Sequence, residues 1–136
     1  MQKIKYCKAQ AYFTIYFDSD FEPSIINKIL EIQDSKIVLK KDALITHSNP
    51  NADGYYQLKT NVGEDKNAEQ AVKTILKPFI KNVEAINKIV KDNKGYCCLD
   101  LFIQASSNKN YPSIDLSPNV LTLLSKLNAN LSINLC

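Results

Sequence analysis

The sequence predicts an α+β fold: a ferredoxin-like βαββαβ core with an added C-terminal helix and strand, helices mainly on one face of the sheet. Three observations lead there. Ala9 to Asp18 alternates strictly, with Ala9, Ala11, Phe13, Ile15 and Phe17 on one side and Gln10, Tyr12, Thr14, Tyr16 and Asp18 on the other. Ala68, Ala71, Val72, Ile75, Leu76, Phe79 and Ile80 instead follow the i, i+3, i+4 spacing of a helix with one apolar face. Between and after them, short apolar segments run in the order strand, helix, strand, strand, helix, strand, helix, strand. No internal repeat interrupts that order, so residues 1–136 read as a single domain.

The first strand has the β-branched and aromatic content that suits a pleated surface. Asp18-Ser19-Asp20 ends it, and Glu22-Pro23 opens a helix, since proline's fixed φ and missing N–H fit the first helical position. Ile25, Ile26, Ile29 and Leu30 form that helix's apolar face. Lys36 to Leu39 is a short second strand. A polar loop from Lys40 to Asp53 follows, with turn signals at Asn49-Pro50 and Asp53-Gly54, and Tyr55 to Thr60 is the third strand. Asn67 caps the next helix while Gln70 reaches back, a capping box. Pro78 breaks or kinks it, so a further helix is expected from about Val83 to Val90 with Ile86 and Ile89 inward. Gly95 restarts the chain as a strand that buries Cys97, Leu99, Leu101, Ile103 and Ala105 and turns Tyr96, Cys98, Asp100, Phe102 and Gln104 the other way. Ser117-Pro118 opens the last helix with Val120, Leu121, Leu124 and Leu127 inward, and Asn128 closes it in a left-handed conformation. Leu131, Ile133 and Leu135 mark a final alternating strand.

Composition narrows the functional classes. The chain is 45% hydrophobic and 23% charged, ordinary globular usage. All 17 basic residues are lysine. Arginine, which grips phosphate and guanine with two parallel hydrogen bonds, is absent, and the net +3 is spread along the chain rather than gathered in a stripe. Nucleic acid is therefore not an expected partner. No apolar run reaches the length of a membrane span, and the N-terminal segment lacks the cleavage pattern of a secretion signal. Cys7, Cys97, Cys98 and Cys136 are accordingly expected as reduced thiols of a cytoplasmic protein.

Phe21-Glu22-Pro23 with its isoleucine-rich helix, the aromatic strand start Gly54-Tyr55-Tyr56, and Tyr111-Pro112-Ser113-Ile114-Asp115-Leu116-Ser117 before the last helix give the chain a family likeness. It resembles a bacterial domain-of-unknown-function family, number 4279, over nearly its whole length. Where that family usually carries tryptophan at the third strand, this chain has tyrosine. The resemblance implies an α+β fold and no established activity. It also implies a kinship in size and setting with immunity proteins of bacterial toxin systems.

No set of residues has the spacing of a catalytic or cofactor site. His47 is the only imidazole and lies in a polar loop without a nucleophile motif. Cys97 and Cys98 are adjacent in a strand, so their side chains diverge and cannot readily share a metal. Asp18, Asp20 and Glu22 make an acidic corner, but the dipole of the following helix accounts for acids there. Gly54, Gly63 and Gly95 stand too far apart to cradle a phosphate. Neither catalytic residues, cofactor nor metal is expected.

Tyr12, Thr14 and Tyr16 on strand one, with Asp100 and Phe102 on the corresponding side of strand four, suggest a partner-binding face if the two strands are neighbours. A helix, a loop or a second subunit could equally cover those residues as core. The expected function is a non-catalytic protein-binding module, of which an immunity protein neutralising a toxin by direct binding is one form; homodimerisation is compatible with it. The alternative is a small-ligand-binding or regulatory domain using the loop from Lys40 to Asp53. A hydrolase built on Asp18, Asp20 and His47 is a third class without motif support.

Overall fold

Period-two alternation places one half of each central strand on a common core, and the helices then have a single face to cover. The computed structural model describes residues 9–46, 50, 52–60, 67–104 and 114–135. The strands are β1 (Ala9–Phe17), β2 (Lys36–Val38), β3 (Gly54–Lys59), β4 (Tyr96–Ile103) and β5 (Ala129–Leu135). The helices are α1 (Ser24–Leu30), α2 (Ala68–Leu76), α3 (Val83–Asp92) and α4 (Pro118–Lys126). The sheet runs β2-β3-β1-β4-β5, antiparallel throughout except for the parallel β4–β5 pair. The first four strands in this order are compatible with the expected βαββαβ core, and α4 with β5 is the expected addition.

Ala9, Ala11, Phe13, Ile15 and Phe17 are buried, as the alternation of β1 requires. So are Leu99, Leu101, Ile103 and Cys97 of β4; burial pushes the Cys97 thiol pKa up to about 12, so it behaves as a small core hydrophobe. Ile26, Leu30, Val72, Leu76, Phe79, Ile86, Val120, Leu124 and Leu127 close over them in one continuous cluster. The Phe13 and Phe79 rings lie 4.5 Å apart at its centre. Asn87 of α3 donates to the Lys126 carbonyl at the end of α4, tying those helices side by side. The helix layer thus occupies one side of the sheet.

The local start and stop signals act as expected at several points. The Asn67 side chain accepts from the Gln70 N–H while the Gln70 side chain accepts from the Asn67 N–H. Past Leu76 the chain tightens into a 3-10 turn over Lys77–Phe79 that holds Pro78. Ser117 accepts from the Val120 N–H, and Asn128 has a φ of 50°. Gly95 meets the end of α3 against the Tyr16 carbonyl, an approach that leaves no room for a Cβ.

Three apolar side chains expected inward are exposed: Ile25, Ile80 and Leu121. On α1 the pair Ile26 and Leu30 faces the sheet, and Ile25 lies about 100° around the helix from Ile26. Ile80 follows the 3-10 turn, whose tighter winding takes it out of phase with α2. On α4 the i, i+4 pair Val120 and Leu124 takes the core, leaving Leu121 outside. Ala105, the Tyr111–Ser113 segment and the loop turn at Asn49 lie outside the described residues. The loop from Lys40 also contains a short 3-10 turn, Lys40–Asp42.

A candidate interaction surface on the helix-free sheet face

The sheet register gathers side chains that are far apart in sequence into three short rows on the side opposite the helices. In the first, Tyr16 lies between Tyr55 of β3 and Tyr96 of β4. The Tyr16 ring is 6.0 Å from that of Tyr55 and 4.9 Å from that of Tyr96, the latter nearly parallel. In the second, Thr14 lies between Gln57 and Cys98, and Gln57 Nε2 donates to Thr14 Oγ1 at 3.0 Å. In the third, Tyr12 lies between Lys59 and Asp100. Phe102, one residue pair further along β4, meets the Tyr12 ring edge-on at 5.4 Å. Lysines stand over two of the outer rings, Lys59 above Tyr12 and Lys36 above Tyr55, at 5.8 and 5.7 Å from the centroids.

Strands β1 and β4 are therefore neighbours, and Tyr12, Thr14, Tyr16, Asp100 and Phe102 do share one face. They do not have equal access to solvent. Thr14 and Tyr16 are buried, Tyr12 and Asp100 are half-buried, and Phe102 is 38% exposed. Tyr12, Phe102, Asp100, Tyr55 and Tyr96 are the more accessible side chains of this face, and Tyr16 lies between Tyr55 and Tyr96. Tyr55 and Tyr96 were not among the partner-binding residues expected from the sequence; the alternation of β3 and β4 carries the signal, since each falls on the side away from the core.

Burial dominates the electrostatics of the face. Burial, then the charges of Cys98 and Asp100, pushes the Tyr16 hydroxyl up to about 12. Burial raises the Asp100 carboxyl, against a hydrogen bond with Ser132 that lowers it. Burial also raises the Cys98 thiol, reinforced by Asp100 and opposed by a hydrogen bond with Asn130. Cys98 is thus held in the thiol form, the opposite of an activated nucleophile.

Two acids of the acidic corner, Asp18 and Glu22, have local partners. Asp18 pairs with Lys40, whose hydrogen bond holds the Asp18 carboxyl below its usual range. Glu22 Oε1 accepts from the Ser24 N–H at the start of α1. His47 lies outside the described residues, so the Asp18, Asp20 and His47 grouping has no geometry to report. Among the described residues no group of three or more His, Cys, Asp or Glu side chains converges as a metal site. No described helix is long and apolar enough to cross a membrane.

The fold and this face define a class: a small α+β domain with one side of its sheet sealed by helices and the other carrying tyrosines and phenylalanine. The chain belongs to the domain-of-unknown-function family DUF4279, whose family model matches residues 5–136. Neither the curated proteins nor the solved structures contain a match.

Proposed function

We propose that this domain is a non-catalytic protein-binding module that engages its partner through the helix-free sheet face. The observation that carries the proposal is the aromatic pairing across β3, β1 and β4, with Tyr12, Tyr55, Tyr96 and Phe102 only partly covered. Tyrosine and phenylalanine bury large areas at low entropic cost, and rings already held by neighbours lose little further freedom on binding. Lys36 and Lys59 at one margin and Asp100 within the face supply polar contacts of both signs, which favour one register of docking over others.

The particular form we favour is an immunity protein that occludes a toxin in the cytoplasm, where the free thiols Cys97 and Cys98 suit a reducing compartment. A partner with an apolar or mildly acidic contact surface fits a chain of net charge +3. Capture from native lysate on the tagged protein tests the proposal, comparing wild type with Tyr12→Ala/Phe102→Ala shown by circular dichroism to be folded. A single stoichiometric protein retained by wild type and lost from the variant is the expected outcome. Equal retention by both would move the contact elsewhere. A thermal shift with a small molecule, and no protein captured, would replace this reading with ligand binding.

A further inference from the structure

We infer that Asp100, with the Tyr12 and Phe102 rings beside it, receives a basic side chain of the partner. The inference rests on the reading of this face as the binding surface, and it names the chemistry met at one point of it. The strand registers set Lys59, Tyr12, Asp100 and Ser132 side by side in one row across β3, β1, β4 and β5. Lys59 holds its ammonium over the Tyr12 ring, so the basic end of the row is engaged with an aromatic face. Asp100 lies two strands away, about 10 Å at the usual strand spacing. The row therefore has a sign at each end of its aromatic centre.

Asp100 is half-buried, and its neighbours bring it no positive charge. Tyr12 faces it from β1 and Ser132 from β5, while Cys98 and Phe102 lie two residues either way along β4. The Ser132 hydroxyl donates to it, and the Tyr16 hydroxyl is pushed up in part by its charge. Among the described residues the ion pairs are Lys40 with Asp18 and Lys73 with Glu69, both away from this row. A carboxylate drawn partly out of water loses hydration that a single hydroxyl does not replace, and burial raises its pKa accordingly.

A cationic side chain answers both the charge and the rings. Its head pairs with the carboxylate, and its stem lies along Tyr12 and Phe102, which meet edge-on and leave Phe102 38% exposed. Arginine suits the site better than lysine, because a guanidinium pairs with both carboxylate oxygens and stacks on a ring. A neutral or acidic group in the same place would bury Asp100 further without a counter-charge, which selects against such partners. The net +3 of the chain disfavours a partner that is basic overall. The cation is therefore one side chain within an otherwise apolar or mildly acidic surface.

The test uses N-acetyl-arginine amide as the probe and its neutral isostere N-acetyl-citrulline amide as the control. Each is titrated into the full chain and followed by NMR at the side chains of Tyr12, Asp100 and Phe102. Saturable shifts at these residues are expected from the arginine probe, with binding about fivefold weaker for citrulline. The Asp100 carboxyl is expected to titrate at lower pH when the arginine probe is present. Folded Asp100→Asn, which keeps the shape and loses the charge, is expected to bind the two probes alike. Equal binding of both probes by wild type overturns the inference, as does an Asp100 titration that the arginine probe leaves unmoved. These two measurements need no variant. A protein captured by wild type and lost from Tyr12→Ala/Phe102→Ala, with no arginine preference, keeps the binding face and removes the cation site. An arginine preference with no protein captured keeps the cation site and removes the protein-binding reading.

Discussion

The carbonyl oxygen of the Asn27 side chain joins three elements at once. It accepts from the Tyr56 hydroxyl of β3 at 2.7 Å and from the Ser35 hydroxyl before β2 at 2.8 Å. Tyr56 is fully buried, so its hydroxyl needs that acceptor. Asn27→Ala should lower the unfolding free energy by about 1–3 kcal/mol in urea titration, the cost of taking from the Tyr56 and Ser35 hydroxyls the acceptor they share. Tyr16 and Tyr56 also make stability sensitive to alkali. Burial pushes both hydroxyls up to about 12, above the ordinary tyrosine value of about 10. The unfolded chain ionises first as pH rises, so the contribution of these neutral hydroxyls is complete below about pH 10 and lost between there and about 12. Melting temperature should accordingly stay level with respect to these groups up to about pH 10 and fall beyond it, with their tyrosinate absorbance appearing together with unfolding. A hydroxyl's burial was only partly legible in the sequence. The alternation of β3 turns Tyr56 inward, but the acceptor lies 29 residues away on a helix whose docking no local pattern specifies.

At the scale of elements, the capping box on α2 is the most local device and was the most legible. Asn67→Ala should cost about 0.5–2 kcal/mol, read as a lower midpoint in denaturant, because it leaves the Gln70 N–H without its cap. Pro78 was legible for a related reason: it removes one donor and clashes with one earlier carbonyl, whatever surrounds it. Helix phase was less so. Ile25, Ile80 and Leu121 fit an apolar stripe by spacing, yet each sits at the margin of a stripe wider than the sheet contact, and only packing decides which rim faces water. The β5 strand shows the same limit. Its alternation is plain in Leu131, Ile133 and Leu135, but their exposure follows from β5 lying at the sheet edge, a property of strand order.

The whole molecule turns on pairings that join distant parts of the chain. Strand β1 sits between β3 and β4 and supplies the centre of both the helix-covered face and the aromatic face. One strand's alternation therefore serves two purposes: Phe13, Ile15 and Phe17 hold the helices, while Tyr12 and Tyr16 organise the face proposed for binding. The neighbourhood of Tyr12 with Phe102 could be stated from the sequence only as a condition on strand order, because cross-strand contact depends on long-range register rather than local propensity. Tyr16, expected among the contacting residues, is the most enclosed of the tyrosines on this face and has an aromatic neighbour on each side, Tyr55 and Tyr96. The most direct measurement of the central claim is a calorimetric titration of the captured partner, purified, into wild type and into folded Tyr12→Ala/Phe102→Ala. The variant is expected to bind about thirtyfold more weakly, the loss of about 2 kcal/mol that follows when anchoring aromatics are truncated. An unchanged affinity in a variant of unchanged fold would contradict it.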